Sequence, residues 1–532
     1  VDPDDDLRTI AERFRYELGE LVATSRALSS ERDIGKLLAL ILEKCRQVTG
    51  ADAGSVYVLE GEGPPSQKRL HFMLSQNDSI RIDFKEFTLG VDAKSVVGQA
   101  VLDARPINVP DLDRLDEPGG NPWGFRHNKS FDEKTGYRAR SMLTVPMLSA
   151  KSEVIGVVQL INRKRRPAAR LLVPDDFARE VIPFDERAEE LGLALASQAG
   201  LSLENAILYD EIKRLFEGFV AASVTAIESR DPTTSGHSRR VATLSVALAE
   251  KVDAIGAGVL RDVRFSREAL KQIEYAGMLH DFGKVGVREK VLVKAKKLYE
   301  EDRQAIEMRF AYIRRSLEAE HLERKLRVAL ELGREQMGAR FEEIDAELAR
   351  KVADLQEAWT FILKANEPTL LEEGGLERLI EIAQAQYLAP SGDLRPYLDQ
   401  NEVGALQVGR GSLTAVERIE IESHVVHTYN FLRKIPWGRD LADVPRIAGA
   451  HHEYMNGIGY PRHLGAAEIP IESRMMTIAD IFDALTASDR PYKKAVPVDR
   501  ALSIIEGEVK AGKCDPDLFR VFVEGEVYKR VL

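Results

Sequence analysis

The chain has 532 residues, too many for one compact core, so two or three domains are expected. Its 44% hydrophobic and 30% charged residues, its two distant cysteines (Cys45, Cys514) and the lack of any run of about 18 apolar residues exclude a disulfide framework, a zinc-finger spacing and a membrane span. A formal charge of −11 argues for no nucleic-acid partner, yet a small phosphorylated ligand needs only a local metal or cation cluster.

The polar, acidic residues 1–6 do not read as a secretory signal, and a cytoplasmic location is the expectation. From residue 17 to about 50, Leu21, Leu28, Ile34, Leu37, Leu38, Ile41 and Leu42 fall at helical spacing and predict amphipathic helices. Segments 53–59, 80–87, 141–147 and 154–161 are short, rich in Val, Ile, Leu and Phe, and bounded by Gly, Pro and Asp. They predict strands of an antiparallel sheet.

The stretch from Phe131 through Gly136-Tyr137 to Leu143, with Val145-Pro146 after it, and the stretch from Gly156 to Asn162 resemble the middle of GAF domains. The resemblance runs over residues 17–200 and implies a sensory sheet with helices on one side. Nucleotide-binding members carry an Asn-Lys pair after the last central strand, then a Phe followed by Asp-Glu. Here Asn162 precedes Arg163, and Phe184 is followed at the matching spacing by Ala188-Glu189. Asn162 and Phe184 are thus candidate contacts to a small-molecule or cyclic-nucleotide ligand in a broken pattern. A GAF fold used for dimerisation, with an empty or unrelated pocket, is the equal alternative.

Across residues 186–223, Leu201, Leu208, Ile212, Leu215, Phe219 and Ala222 alternate at steps of seven, four and three, with Asn205 on the same seam. This heptad stripe predicts a linker helix that pairs with its copy in a parallel coiled coil, making a homodimer. An amphipathic helix packed on its own domain is the alternative.

The chemistry concentrates after residue 224. Of ten histidines, five stand in motif contexts: His237 after Asp231 and Gly236, His280 beside Asp281, His424 in an amphipathic helix, and the adjacent His451-His452; Asp480 follows. Imidazole and carboxylate together are the ligands expected of a hydrolytic divalent-metal site. The run from Leu279 through His280-Asp281 to Lys284 resembles the doublet of the HD hydrolases. The run from His451 through Asn456-Gly457-Ile458 to Gly459-Tyr460-Pro461 is similar to the second signature of the HD-GYP branch. Arg490-Pro491-Tyr492-Lys493 and Asp515-Pro516 match two further stretches of that family.

The resemblance implies a phosphodiesterase that opens cyclic di-GMP to linear pGpG, GMP or both. It implies two divalent ions, iron first and manganese second. His237, His280, Asp281 and Asp480 would hold one; Asp281 would bridge to another held by His424, His451 and His452. Lys284, one helical turn beyond His280, would meet the scissile phosphate, and Arg490 and Lys493 would clamp phosphate oxygens. Gly457, Gly459, Tyr460 and Pro461 would form a substrate wall. Where some members carry a glutamate for a third metal this chain has Thr233, so two ions are expected. His427, three residues after His424, is the competing choice for the fourth histidine.

Residues 299–410 interrupt the family pattern and read as a helical insertion, with Ile306, Phe310, Ile313 and Leu317 on one face and Phe341, Ile344, Leu348, Val352, Leu355, Trp359 and Leu363 on another. The expected architecture is a multidomain α+β chain: a GAF domain, a connecting helix, and an all-α HD-GYP domain over 224–532 containing the insertion. A scaffold that binds a cyclic dinucleotide without hydrolysing it, and a hydrolase for another cyclic dinucleotide, are the competing functions.

Overall fold

The computed structural model describes residues 19, 22–81, 86–117, 121–125, 132, 135–231, 235–331, 334–488 and 495–532, in two units, Val1–Glu217 and Gly218–Leu532. In unit 1, helix α1 (Ile34–Thr49) starts where the Asp33 carboxylate accepts the Lys36 N–H and ends at left-handed Gly50. The sheet comprises β1 (Ala51–Glu60), β2 (Arg69–Asn77), β3 (Phe87–Gly90), β4 (Ile107–Val109), β5 (Met142–Leu148), β6 (Val154–Lys164) and β7 (Val181–Ile182). Its order is β3-β2-β1-β6-β5-β4, with β7 also on β6, and every pair is antiparallel. Helix α2 (Val96–Asp103) lies between β3 and β4 in the chain, and α3 (Pro174–Glu180) precedes β7.

One face of this sheet is closed by α1 and by the start of a 45-residue helix, α4 (Glu186–Arg230). Leu38, Ile41 and Leu42 of α1 and Leu195, Ala196, Ala199 and Leu203 of α4 bury against Val56, Val145, Val158 and Leu160. Each large aliphatic side chain buried this way stabilises by about 1.5–3 kcal/mol. The strand expected at 80–87 is misplaced: Ile80 and Arg81 are not strand, 82–85 lie outside the described residues, and pairing begins at Phe87. The sequence reading also missed β2, because Ser75, Gln76 and Asn77 give its end the polarity of a loop. Its pairing with β1, shifted at Val56/Tyr57, supplies the order that its composition does not.

The helix expected over 186–223 begins inside the first unit's core, so its opening turns belong to that packing. On its other side Leu201, Leu208, Ile212, Leu215 and Phe219 are 40–77% exposed. Among the described residues α4 is the one helix long and apolar enough, by length and composition, to cross a membrane, yet several of its apolar residues are this core.

In unit 2 the helices α5 (His237–Asp253) and α6 (Arg267–Leu279) pack together, and a 3-10 turn (Phe282–Gly286) follows. The insertion forms an antiparallel-type hairpin of α7 (Glu300–Glu331) and α8 (Arg334–Ala365), then α9 (Gly375–Gln384), a ribbon of β8 (Gln386–Leu388) and β9 (Leu394–Pro396), and α10 (Gln400–Leu406). It owns a core in which Ile306, Phe310, Ile313, Leu355, Ala358 and Ile362 meet. Leu363, expected on that face, is 39% exposed, and Ile362 takes its place. Ile362, seven residues after Leu355, lies within about 20° of it on a 3.6-residue helix, whereas two steps of four carry Leu363 about 80° round, off the buried face. The ribbon was not anticipated. The chain then returns through α11 (Ala415–Leu432), α12 (Val444–Ala448), α13 (Ile471–Thr486), α14 (Val498–Lys510) and α15 (Pro516–Glu524).

Candidate metal centre

Five segments of unit 2 converge on one buried point. His237 opens α5, His280 and Asp281 end α6, His424 sits in α11, His451 and His452 follow α12, and Asp480 lies in α13. His237 Nε2 is 3.2 Å from Asp480 Oδ1 and 3.8 Å from Asp281 Oδ2. His280 Nε2 is 3.5 Å from Asp281 Oδ2, and His424 Nε2 is 3.3 Å from Asp281 Oδ1. His452 Nδ1 stands 3.9 Å from Asp480 Oδ2. The donors fall into two groups, His237-His280-Asp281 and His424-His451-His452, each with its ligand atoms within 4.8 Å of one another.

The tautomers follow from local helix geometry. Nδ1 of His280, His424 and His451 each donates to the carbonyl three residues earlier, Gly277 at 2.7 Å, Ile421 at 2.6 Å and Ala448 at 2.7 Å. That leaves an acceptor lone pair on each Nε2, and all three Nε2 atoms are buried without a hydrogen-bond partner. A lone buried acceptor costs about 1–3 kcal/mol, and here three lie in one cluster, two of them beside the Asp281 carboxylate. A cation in each donor group would resolve this conflict, so the donor set fits divalent metal.

Electrostatics agree. Burial holds the imidazoles of His424 and His451 below their ordinary range and His452 at about 4, so they are neutral. Burial alone would raise Asp281, but Lys284 and the neighbouring imidazoles hold it well below the usual carboxylate range. His237 differs. Burial opposes its protonation, yet its hydrogen bonds to the carboxylates of Asp480 and Asp483 raise it to about 9.

Several supporting residues escaped the sequence reading. Asp483 Oδ2 lies 2.7 Å from His237 Nδ1, and Asp483 also accepts Arg240 Nε at 2.6 Å. Its signal was its place one turn after Asp480. Thr428 Oγ1 donates to the His280 carbonyl at 2.9 Å and accepts Gly283 N–H at 2.8 Å; Thr477 Oγ1 donates to the His451 carbonyl at 2.7 Å. Gly283 is required where the 3-10 turn crosses α11, because a Cβ there would stand 1.9 Å from the His424 carbonyl oxygen. His427 is exposed, its ring over Gly286.

The loop from Asn456 to Pro461 is held by Glu453, whose two oxygens accept the N–H groups of Arg462 and Leu464. Gly459 has no room for a side chain: a Cβ would lie 2.3 Å from Tyr454 N. Tyr460 precedes a cis Pro461, and its ring centroid lies 4.8 Å from that of His452; Gly457 lies in the same loop. Lys284 departs from its expected place. The α-helix stops at Leu279 and the chain tightens into the 3-10 turn, so Lys284 aligns with Asp281, at 2.9 Å, instead of His280. Its Nζ also donates to Asp231 at 3.1 Å. Asp515 is a helix cap, accepting the N–H groups of Asp517 and Leu518. Arg490, Lys493 and Thr233 lie outside the described residues.

In unit 1 the expected ligand contacts are corrected. Asn162 is fully buried; its Oδ1 accepts the Arg140 and Ser141 N–H groups and its Nδ2 donates to the Arg138 carbonyl. Phe184 belongs to the core beneath α1 and α4. Neither lines the cavity of about 360 Å³ formed by Tyr57, Phe72, Phe87, Val97, Tyr137 and Gln159, among others. No Lys or Arg is among its described lining residues, so a phosphate has no cationic partner there.

Residues 33–203 match the GAF domain family, and residues 234–372 and 379–518 each match an HD domain family. The 3'3'-cGAMP-specific phosphodiesterase 3 of Vibrio cholerae is 42% identical over 109 residues, 20% of this chain and 23% of that protein. The 3'3'-cGAMP-specific phosphodiesterase 1 of the same organism is 36% identical over 113 residues, 21% and 25%. A cyclic di-GMP phosphodiesterase of Thermotoga maritima is 41% identical over 90 residues, 16% and 24%. The match spans about a quarter of the length of each of these relatives.

Proposed function

We propose, from the premise that this chain joins a GAF domain to HD domains of the kind found in cyclic-dinucleotide phosphodiesterases, that it is itself a metal-dependent phosphodiesterase for a cyclic dinucleotide. The observation that carries the reading is the gathering of three partnerless imidazole Nε2 atoms, of which those of His280 and His424 lie within 3.5 Å of Asp281. His237, His280, Asp281 and Asp480 would hold one ion and His424, His451 and His452 another, with Asp281 between them. Iron is the first choice and manganese the second. Such ions would supply a water of lowered pKa and neutralise phosphoryl oxygens.

The chain's own groups do the rest. Asp281 turns Oδ1 toward His424 and Oδ2 toward His237 and His280, which suits it to bridge. Burial works against the Lys284 ammonium, but Asp281 and Asp231 hold its pKa above the ordinary value, so it arrives charged to meet a phosphate. Tyr460, with Gly457, Gly459 and Pro461, forms the wall beside His452.

Cyclic di-GMP, opened to linear pGpG, GMP or both, is the preferred substrate. The relatives named for 3'3'-cGAMP make that dinucleotide the second reading. The GAF domain would regulate this activity, and the exposed stripe on α4 would pair two copies in a homodimer. The test is to load the full chain with iron or manganese under reducing conditions and offer cyclic di-GMP, 3'3'-cGAMP and cyclic di-AMP, following products by chromatography. A linear dinucleotide from cyclic di-GMP first is expected. Tight binding with no product from any of the three would favour the non-hydrolysing scaffold instead.

A further inference from the structure

The end of α4 and the residue after it are hydrogen-bonded at three points to segments beside the candidate metal ligands. Glu228 Oε1 accepts the N–H of Gly236 at 2.8 Å, and Gly236 caps the helix that opens with His237. Arg230 donates to the Val287 carbonyl at 3.0 Å, where the 3-10 turn carrying Lys284 ends. Asp231, the buried residue just past the helix, accepts Lys284 Nζ at 3.1 Å. The same ammonium lies 2.9 Å from Asp281 Oδ2.

We propose that Asp231 is a positioning residue for Lys284, and that through it the end of α4 sets where that lysine points. A lysine side chain is long and rotamer-rich, so a single carboxylate partner leaves its ammonium free to swing about that partner. Two carboxylates from different segments fix it. One of them, Asp281, belongs to the metal-ligand set; the other is joined by one peptide bond to the end of α4. Hydrogen bonds near 3 Å weaken steeply with displacement, so a small shift of the helix end carries Asp231 away from Lys284 while the ligand imidazoles keep their own anchors at Gly277, Ile421 and Ala448. Regulation would then act on the lysine's contact with the reacting phosphate and leave metal loading alone. No titration is needed, only a change of distance.

The activity part of this proposal rests on the phosphodiesterase reading; the positioning part rests on geometry. The experiment uses the full metal-loaded chain and Asp231→Asn. Bound metal, kcat and KM on cyclic di-GMP and 3'3'-cGAMP, and amide hydrogen exchange of residues 282–287 are measured together. Metal content is expected to stay at the wild-type value, kcat to fall roughly tenfold or more with KM within about threefold, and exchange of 282–287 to accelerate. Asp231→Glu, which keeps a carboxylate within reach, recovers part of kcat and of the protection. Wild-type kcat and exchange in Asp231→Asn overturn the proposal, as does loss of metal in step with activity. If the wild-type chain hydrolyses neither dinucleotide, the phosphodiesterase reading falls, and the exchange comparison alone decides whether Asp231 holds Lys284.

Discussion

Three imidazoles hold bare Nε2 lone pairs in one buried cluster, and those of His280 and His424 lie within 3.5 Å of the Asp281 carboxylate. Each ring is oriented by its own backbone: an Nδ1–H bond to the carbonyl three residues back needs no distant partner. The choice between His424 and His427 illustrates how little separates a ligand from a surface residue. Three positions apart on α11, one is buried 3.3 Å from Asp281 and the other is exposed. His424→Ala is expected to lower bound metal by about half or more, the consequence of removing a ligand from a closed donor set, while His427→Ala keeps wild-type metal content. Elemental analysis of the purified variants checks this, and metal loss confined to His427→Ala would reverse the assignment.

At the scale of elements, helix α11, which carries His424, is tied at its start to the segment where the insertion begins. Thr414 and Glu417 form a capping box, and Glu417 also receives Lys294 at 2.8 Å and the Tyr299 hydroxyl. Burial would raise the Glu417 carboxyl, but Lys294, Tyr299 and Thr414 hold it at about 2, against an ordinary value of 4.5. The stability this residue supplies is therefore complete above about pH 4.5 and is lost as pH falls through about 2. Glu417→Gln is expected to cost about 2 kcal/mol at neutral pH, the worth of charge-assisted hydrogen bonds. Denaturant unfolding of both proteins should show the gap closing as pH is lowered from 4.5 toward 2. A gap independent of pH would mean that the charge on Glu417 contributes nothing.

At the scale of the whole molecule, α4 belongs to both units: its start is part of the core beneath the sheet, and its end is hydrogen-bonded to the segments that carry His237 and Lys284. Between these ends Leu208, Ile212 and Leu215 stand exposed, and burying such a stripe in a second copy would remove it from water. Ile212→Glu combined with Leu215→Glu is expected to convert a dimer to a monomer in analytical ultracentrifugation. An unchanged sedimentation coefficient for the double variant would leave the homodimer without this interface.

The amino-acid sequence alone carried the order of an antiparallel-sheet region followed by a helical one, the helix linking them, and the seven metal-ligand candidates. These are matters of periodicity and of rare residues recurring in recognisable company, both of which are written locally. Only the folded chain decided that Asn162 and Phe184 are internal supports, that Lys284 faces Asp281, and that Asp231, Glu228 and Asp483 reach the site. Those facts depend on where a helix tightens, where a glycine lets two backbones touch, and which carboxylate arrives from a segment more than fifty residues away. Pair distances of this kind are set by packing, and no local pattern encodes them.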